Sequence, residues 1–155
     1  MIQKQIAGWL IEIDKDSTKA AYLERPLYIG CKCNICRNFS AAIPDIPDAV
    51  RLFFSEMGID PAKPSEIYEN GFKNGHVQYG GFYHIVGNYI SGDDIWQPVA
   101  DEHEQQKETE CFKIADGFEI GFTRQLALIP KDFPRPVLQM EIHFSLPWVL
   151  DEPYE

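Results

Sequence analysis

The chain has few basic side chains: 14 Lys and Arg stand against 24 Asp and Glu, which gives a formal net charge of -10 at pH 7. Nonspecific affinity for nucleic acid comes from Lys and Arg that displace counterions from phosphates. The charge balance therefore argues against nucleic acid as a direct partner. It favours a basic protein, which an acidic surface attracts over a long range.

The acidic side chains are concentrated in the segment from Asp93 to Glu110 and in the tail from Asp151 to Glu155. Blocks of like charge are most often solvated loops and tails. The alternative interpretation is a docking surface for a basic partner. We keep both interpretations open at this point.

The sequence also lacks the signals of membrane insertion and secretion. No uncharged run approaches the ~20 residues that a membrane helix needs, and residues 1–16, MIQKQIAGWLIEIDKD, lack the charge and apolar pattern of a secretory signal. We therefore expect no membrane association and a cytoplasmic location. Thiols stay reduced there, so clustered cysteines indicate metal ligands or catalytic groups before disulfides.

Hydrophobic residues make up 45% of the chain and aromatic residues 13%, which is enough to build an ordinary core. We expect one globular domain over residues 1–155. Periodicity and turn residues predict the following elements in chain order: strands at Ile6 to Ile13 and Leu27 to Gly30, helices at Asn34 to Ala42 and Asp45 to Gly58, a short helix at Ser65 to Asn70, a strand at residues 76–90 that bends or breaks at Gly80 and Gly81, a hairpin around Asp116 and Gly117, and a strand from Val137 to Leu146.

This order of elements predicts an α+β fold. We expect a largely antiparallel sheet of five to six strands, with two helices from the N-terminal half of the chain packed on it.

Three of the four cysteines form a C-x-C-x-x-C pattern at Cys31, Cys33 and Cys36. Thiolates with this spacing at the start of a helix can converge on a tetrahedral zinc ion, which needs four ligands. Cys111 is the first candidate for the fourth ligand and His143 is the second. We therefore predict a structural zinc site.

Two other interpretations of the cysteines remain open. They could be small buried hydrophobic residues, or Cys33 and Cys36 could form a redox pair at a helix start. No H-E-x-x-H, G-x-S-x-G or Gly-rich phosphate loop is present. A pocket around His84, with Tyr79 and Tyr83, is the other place where an enzyme activity could lie, although a histidine in an apolar strand is more often a hydrogen-bonded core residue.

The stretches CNICRNF, MGIDPAKPSEIYENG and YGGFYHIVG together resemble a group of small bacterial proteins that carry a cysteine-rich C-R-N-F stretch and have no assigned activity. The resemblance covers the middle half of the chain. It implies no catalytic role for Cys33, Cys36, Arg37, Asn38 or Phe39. Arg37 and Asn38 are expected to satisfy backbone groups near the cysteines.

Together these observations predict an acidic protein-binding module with a structural zinc site. Its charge and size are those of immunity proteins that neutralise basic toxins, which is an analogy only. The alternative is a small enzyme that uses Cys33 and Cys36, or a pocket around His84.

Overall fold

The computed structural model describes residues 1–28, 30–98, 104–106 and 111–154. Within these ranges seven strands form one antiparallel sheet, two short strands form a ribbon, and three α-helices lie beside them. The elements in chain order are β1 (Ile2–Ile6), β2 (Trp9–Ile13), α1 (Lys15–Glu24), α2 (Asn34–Ala42), α3 (Asp48–Met57), β3 (Glu66–Lys73), β4 (His76–Ser91), β5 (Trp96–Pro98), β6 (Glu104–Gln106), β7 (Phe112–Ala115), β8 (Phe118–Thr123) and β9 (Val137–Pro147). The predicted α+β class with a largely antiparallel sheet is confirmed, with one more strand and one more helix than expected.

The strand β4 lies at the centre of the sheet and runs unbroken over 16 residues. One edge pairs with β9 over residues 76–86, and the other edge pairs first with β3 and then with β2. The glycines at 80 and 81 do not break the strand. The aromatic ring of Tyr68 lies where a side chain at residue 80 would be, so β3 fills the gap that the glycines leave.

One face of the sheet packs on helices α2 and α3 and forms the main core. Phe54 of α3 is fully buried and lies edge-on to the ring of Tyr83, at a centroid distance of 5.0 Å. Phe39 of α2 packs in the same way on Tyr79, at 5.3 Å. Burying aromatic side chains of this size contributes most of the stabilisation of a core.

The helix α2 has the predicted bounds, Asn34–Ala42, and α3 ends as predicted at Gly58, which has a left-handed φ of 81°. The predicted start of α3 at Asp45 is wrong. Residues 43–45 form a separate 3-10 turn that ends at Ile46, and α3 begins at Asp48 with Pro47 at its N-cap. No helix among the described residues is both long and apolar enough to cross a membrane.

The helix α1 was not among the predicted elements. Asp14 caps its start, because the carboxylate accepts hydrogen bonds from the backbone N–H of Ser17 at 3.0 Å and from its hydroxyl at 2.8 Å. Tyr22 is the large side chain that α1 buries, and its hydroxyl donates to the carbonyl of His84 at 2.8 Å. Because most of the helix is exposed, its apolar pattern is too short to be recognised.

Three further predictions are wrong in detail. The segment from Ile6 to Ile13 is not one strand, because Ile6 ends β1, the chain turns at Ala7, which has a positive φ of 50°, and β2 begins at Trp9. The predicted strand from Leu27 to Gly30 is also wrong, because residues 27, 28 and 30 belong to no strand. The predicted helix from Ser65 to Asn70 is wrong, because residues 66–70 belong to β3, whose pairing with β4 satisfies their backbone groups better than one isolated helical turn could.

We predict that Gly58→Ala lowers the free energy of unfolding by about 2 kcal/mol. The positive φ strains alanine, and its Cβ would approach the carbonyl oxygen of Lys15 to 2.5 Å. The control is Gly8→Ala, where no atom lies within 4 Å of the added carbon. Denaturant unfolding of the two variants and the wild type measures the effect. Equal losses in the two variants would contradict the prediction.

Candidate functional site

The sulfur atoms of Cys31, Cys33 and Cys36 converge at the N-terminal end of α2, where all three lie within 4.8 Å of one another. The Sγ atom of Cys31 lies 2.7 Å from that of Cys33 and 3.5 Å from that of Cys36, so Cys31 contacts both other thiols. Cys31 and Cys33 are exposed, whereas Cys36 is buried and faces the core. This cluster is a group of thiols that could hold a metal ion.

The thiols of the cluster differ in their environment. Hydrogen bonding with the Cys33 side chain and backbone lowers the pKa of the Cys31 thiol. Burial, together with the neighbouring thiols of Cys31 and Cys33, raises the pKa of the Cys36 thiol to about 12. Without a metal ion, Cys31 therefore ionises more readily than Cys36.

The local chain explains why the thiols meet. Gly30, with a positive φ of 50°, turns the irregular segment back on the ring of Tyr28, and Cys33 then occupies the N-cap position of α2. Cys36 follows in the first helical turn. The Arg37 Nε atom donates to the carbonyl of Lys32 at 3.3 Å, which holds the turn against the helix.

The same end of α2 binds the C-terminal segment of the chain. Arg37 forms an ion pair with Glu152, and the side chain of Asn34 donates to the carbonyl of Tyr154 at 2.9 Å. Residues that lie between and beside the cysteines therefore join the thiol cluster to residues 147–154.

Asn38 makes the buried part of this connection. Its Nδ2 atom donates to the carbonyl of Pro147 at 3.1 Å and to the hydroxyl of Tyr79 at 3.2 Å, and its Oδ1 atom accepts from the N–H of Val149 at 2.8 Å. The Tyr79 hydroxyl in turn donates to the carbonyl of Ile35 at 2.7 Å. As expected from the C-R-N-F stretch, Arg37 and Asn38 satisfy backbone groups near the cysteines.

Neither candidate for the fourth ligand belongs to the group of converging atoms found among the described residues. Cys111 directly precedes β7 and is partly buried against the core. His143 lies in the middle of β9, between Gly80 of β4 and Glu119 of β8. A fourth protein ligand therefore stays a prediction.

His84 lies inside the protein and is fully buried. Its ring nitrogens lie 2.8 Å from the Ser65 hydroxyl and 3.0 Å from the Gln139 side-chain oxygen, and burial lowers the pKa of the ring to about 4. Tyr79 and Tyr83 are also fully buried, on the opposite face of β4. The three side chains therefore do not line one common pocket.

Glu141 is a buried titratable residue that the sequence pattern did not single out. It accepts a hydrogen bond from Gln139 at 2.7 Å, and burial raises its pKa to about 7, with Asp94 and Glu66 adding to the effect. Hydrogen bonds from Gln139 and Trp96 act in the opposite direction. Alternation along β9 places Glu141 on the polar face, yet Glu141 is buried and is hydrogen-bonded to Trp96, which is distant in sequence.

The acidic segment from Asp93 to Glu110 lies largely outside the described residues. In the C-terminal acidic segment, Asp151 and Glu152 are exposed, and Glu152 is held by Arg37. A docking role for these carboxylates stays a prediction.

Glu141 and His84 should give the protein two opposing pH dependences. The raised pKa of Glu141 contributes stability that is present below pH 4.5 and lost as pH rises to about 7. The lowered pKa of His84 contributes stability that is present above pH 6.5 and lost as pH falls toward 4. The two slopes partly cancel where these windows overlap.

We predict that in Glu141→Gln nothing opposes the contribution of His84 to the pH dependence of the free energy of unfolding. The free energy of unfolding should then fall more steeply than in the wild type as pH is lowered from 6.5 to 4.5, by about 1 kcal/mol more per pH unit. Denaturant unfolding across this range, with the exposed Glu56→Gln as control, measures the difference. Parallel curves for Glu141→Gln and the wild type would contradict the prediction.

Comparison of this chain with protein-family models, with curated proteins and with solved structures finds no match. The geometry of the thiol cluster and its surroundings is therefore the basis on which a function can be proposed.

Proposed function

We propose that this protein is a zinc-binding module in which Cys31, Cys33 and Cys36 supply three thiolate ligands to one zinc ion. The observation that carries the proposal is the convergence of three sulfur atoms, all from one six-residue stretch, to within 4.8 Å of one another. Thiolate ligands favour zinc over magnesium and calcium, which prefer oxygen.

The spacing of the sulfur atoms is compatible with this ion. Zn–S bonds of about 2.3 Å in a tetrahedron place two sulfurs about 3.8 Å apart. The separation of Cys31 and Cys36, 3.5 Å, is already close to that value, whereas Cys31 and Cys33, at 2.7 Å, must move apart. Both of these side chains are exposed, so rotation of the Cys33 thiol meets little resistance from packing.

The role that the surroundings support is structural. The segment before α2 has little core of its own, since Leu27 is 65% exposed and the first two cysteines are exposed. An ion shared by Cys31 and Cys36 would tie this segment to α2. Because α2 also holds residues 147–154, the ion would brace the place where these three parts of the chain meet.

We predict that the protein purified from zinc-supplemented medium contains one zinc per chain. Cys33→Ser should lose the metal, whereas Lys32→Ser, an exposed neighbour that is not a ligand, should retain it. Chelation should lower Tm by about 2 to 4 °C for each kcal/mol of stabilisation lost. Metal content of Cys111→Ser and His143→Gln shows whether either residue is the fourth ligand. A zinc content of the wild-type protein well below one equivalent would refute the proposal.

Thiol alkylation of the same samples separates zinc binding from the rival redox function. In the redox reaction, the Cys31 thiolate attacks a substrate disulfide and expels one thiolate. Cys33 then attacks Cys31, which leaves a Cys31–Cys33 disulfide and a reduced substrate. The contact at 2.7 Å favours this pair over the predicted Cys33 and Cys36. Slow alkylation until a chelator is added supports zinc. Fast alkylation of zinc-supplemented protein, with a reversible disulfide, supports the redox function.

Binding of a basic protein is the second function that we propose, and its support is the net charge of -10 together with the exposed carboxylates of the C-terminal segment. Long-range attraction between opposite charges raises association rates and weakens as salt screens it. The thiol site and the acidic surface are compatible, since a metal-braced region next to Glu152 would present a rigid surface.

We predict that Asp101→Asn, Glu102→Gln and Glu104→Gln together slow association with a basic partner captured from a host lysate, by about tenfold at low salt. The matched control removes three charges from exposed positions on the helices, with Asp16→Asn, Glu24→Gln and Glu56→Gln. Surface plasmon resonance at several salt concentrations measures the rates. If the association rate changes neither with salt nor with either set of substitutions, the binding surface lies elsewhere.

A further inference from the structure

A cavity of about 360 Å³ lies between α1, α3 and the segment that follows α3, and it has no part in the thiol site. Its volume falls in the range of about 300 to 1,000 Å³ that is usual for sites of small organic ligands. Gly58 lies on the cavity wall, and its lack of a side chain lets the end of α3 approach the backbone of Lys15 closely. The cavity is thus formed by the two helices together with the segment of residues 58–61 that follows α3.

Basic side chains gather at this cavity although they are scarce in the chain. Lys15 and Lys19 lie one turn apart on α1, and Arg51 lies opposite on α3. Like charges at this spacing on a helix repel each other unless an anion lies nearby. A cluster of this sign is unexpected on a protein with a net charge of -10.

Among the described residues, no carboxylate pairs with these two lysines. Asp60 is the carboxylate on the cavity wall, but it accepts from the N–H of Ala62 at 3.0 Å and lies 3.9 Å from the ammonium group of Lys63. Arg51 is partly engaged by Asp48 at 3.3 Å. Within the part of the chain that the structure describes, Lys15 and Lys19 form no ion pair.

The remaining wall of the cavity is apolar. Tyr22 and Ile59 are buried, with exposed fractions of 2% and 4%, and they form its base. Leu23 continues the line of Lys15 and Lys19 along α1 and is 73% exposed, which is unusual for a leucine that borders a cavity. Two ammonium groups thus stand beside a surface suited to an apolar group.

We propose that this cavity binds a small organic anion that has a carboxylate or phosphate head and an apolar body. Lys15 and Lys19 bind the head with charge-assisted hydrogen bonds, which are the stronger class of such bonds. The apolar body lies on Tyr22, Leu23 and Ile59 and removes their surface from water. The site is independent of the proposed zinc function, since none of the cysteines lines it.

The test uses four probes on the full-length protein. Phenyl phosphate and benzoate combine an anion with an apolar ring, inorganic phosphate has only the anion, and benzyl alcohol has only the ring and a neutral group. We expect isothermal titration calorimetry to show binding of at least one aromatic anion, and amide chemical shifts to change around the cavity. The better of the two anions identifies the head group. No binding of either at millimolar concentration, or equal binding of benzyl alcohol, would overturn the proposal.

Variants assign the binding to the named side chains. Lys15→Gln with Lys19→Gln should weaken the aromatic anion by about tenfold. The matched control, Lys73→Gln with Lys131→Gln, removes the same charge from exposed sites outside this cavity and should leave affinity unchanged. Leu23→Gln should weaken phenyl phosphate without affecting inorganic phosphate. Equal loss in both lysine pairs would show a general effect of charge and would overturn the assignment.

Discussion

The pairing of β4 with β9 is the interaction on which the rest of the structure depends. Eleven residue pairs, from His76 with Pro147 to Val86 with Val137, join these strands along the middle of the sheet. Because side chains alternate, this register decides which residues face the helices and which face the opposite side. It sends Tyr79 and Tyr83 to α2 and α3. A slip by one residue would exchange the two faces and would bury charged groups against the helices.

The elements that could be predicted from sequence are those whose signal is local. The helix α2 has an apolar face at helical spacing, the hairpin has Asp116 and Gly117 at its turn, and β9 alternates along its length. Some of the missed or mistaken elements depend on distant partners. The segment from Ser65 to Asn70 is polar and rich in turn residues, and only the free edge of β4 makes it a strand.

The same limit applies to the candidate sites. The spacing of Cys31, Cys33 and Cys36 predicts their convergence because six residues and a helix start suffice to bring them together. A fourth ligand cannot be chosen in this way, since it requires knowledge of the tertiary fold. Glu141 follows the pattern of a solvent-facing residue, yet distant residues cover it. The sequence pattern does not predict α1, so it could not predict that Lys15 and Lys19 lie at a cavity.

The central place of β9 has a consequence for synthesis on the ribosome. Residues 92–136 must be made after β4 and before β9 can pair with it, so one long edge of the middle strand stays open throughout that interval. Open strand edges pair readily with other chains. During the same period Asn38 lacks its hydrogen bond to the carbonyl of Pro147, so α2 does not yet have its final contacts with the sheet. The nascent chain is therefore exposed to mispairing until β9 has been made, and a chaperone that shields β4 would act in that interval.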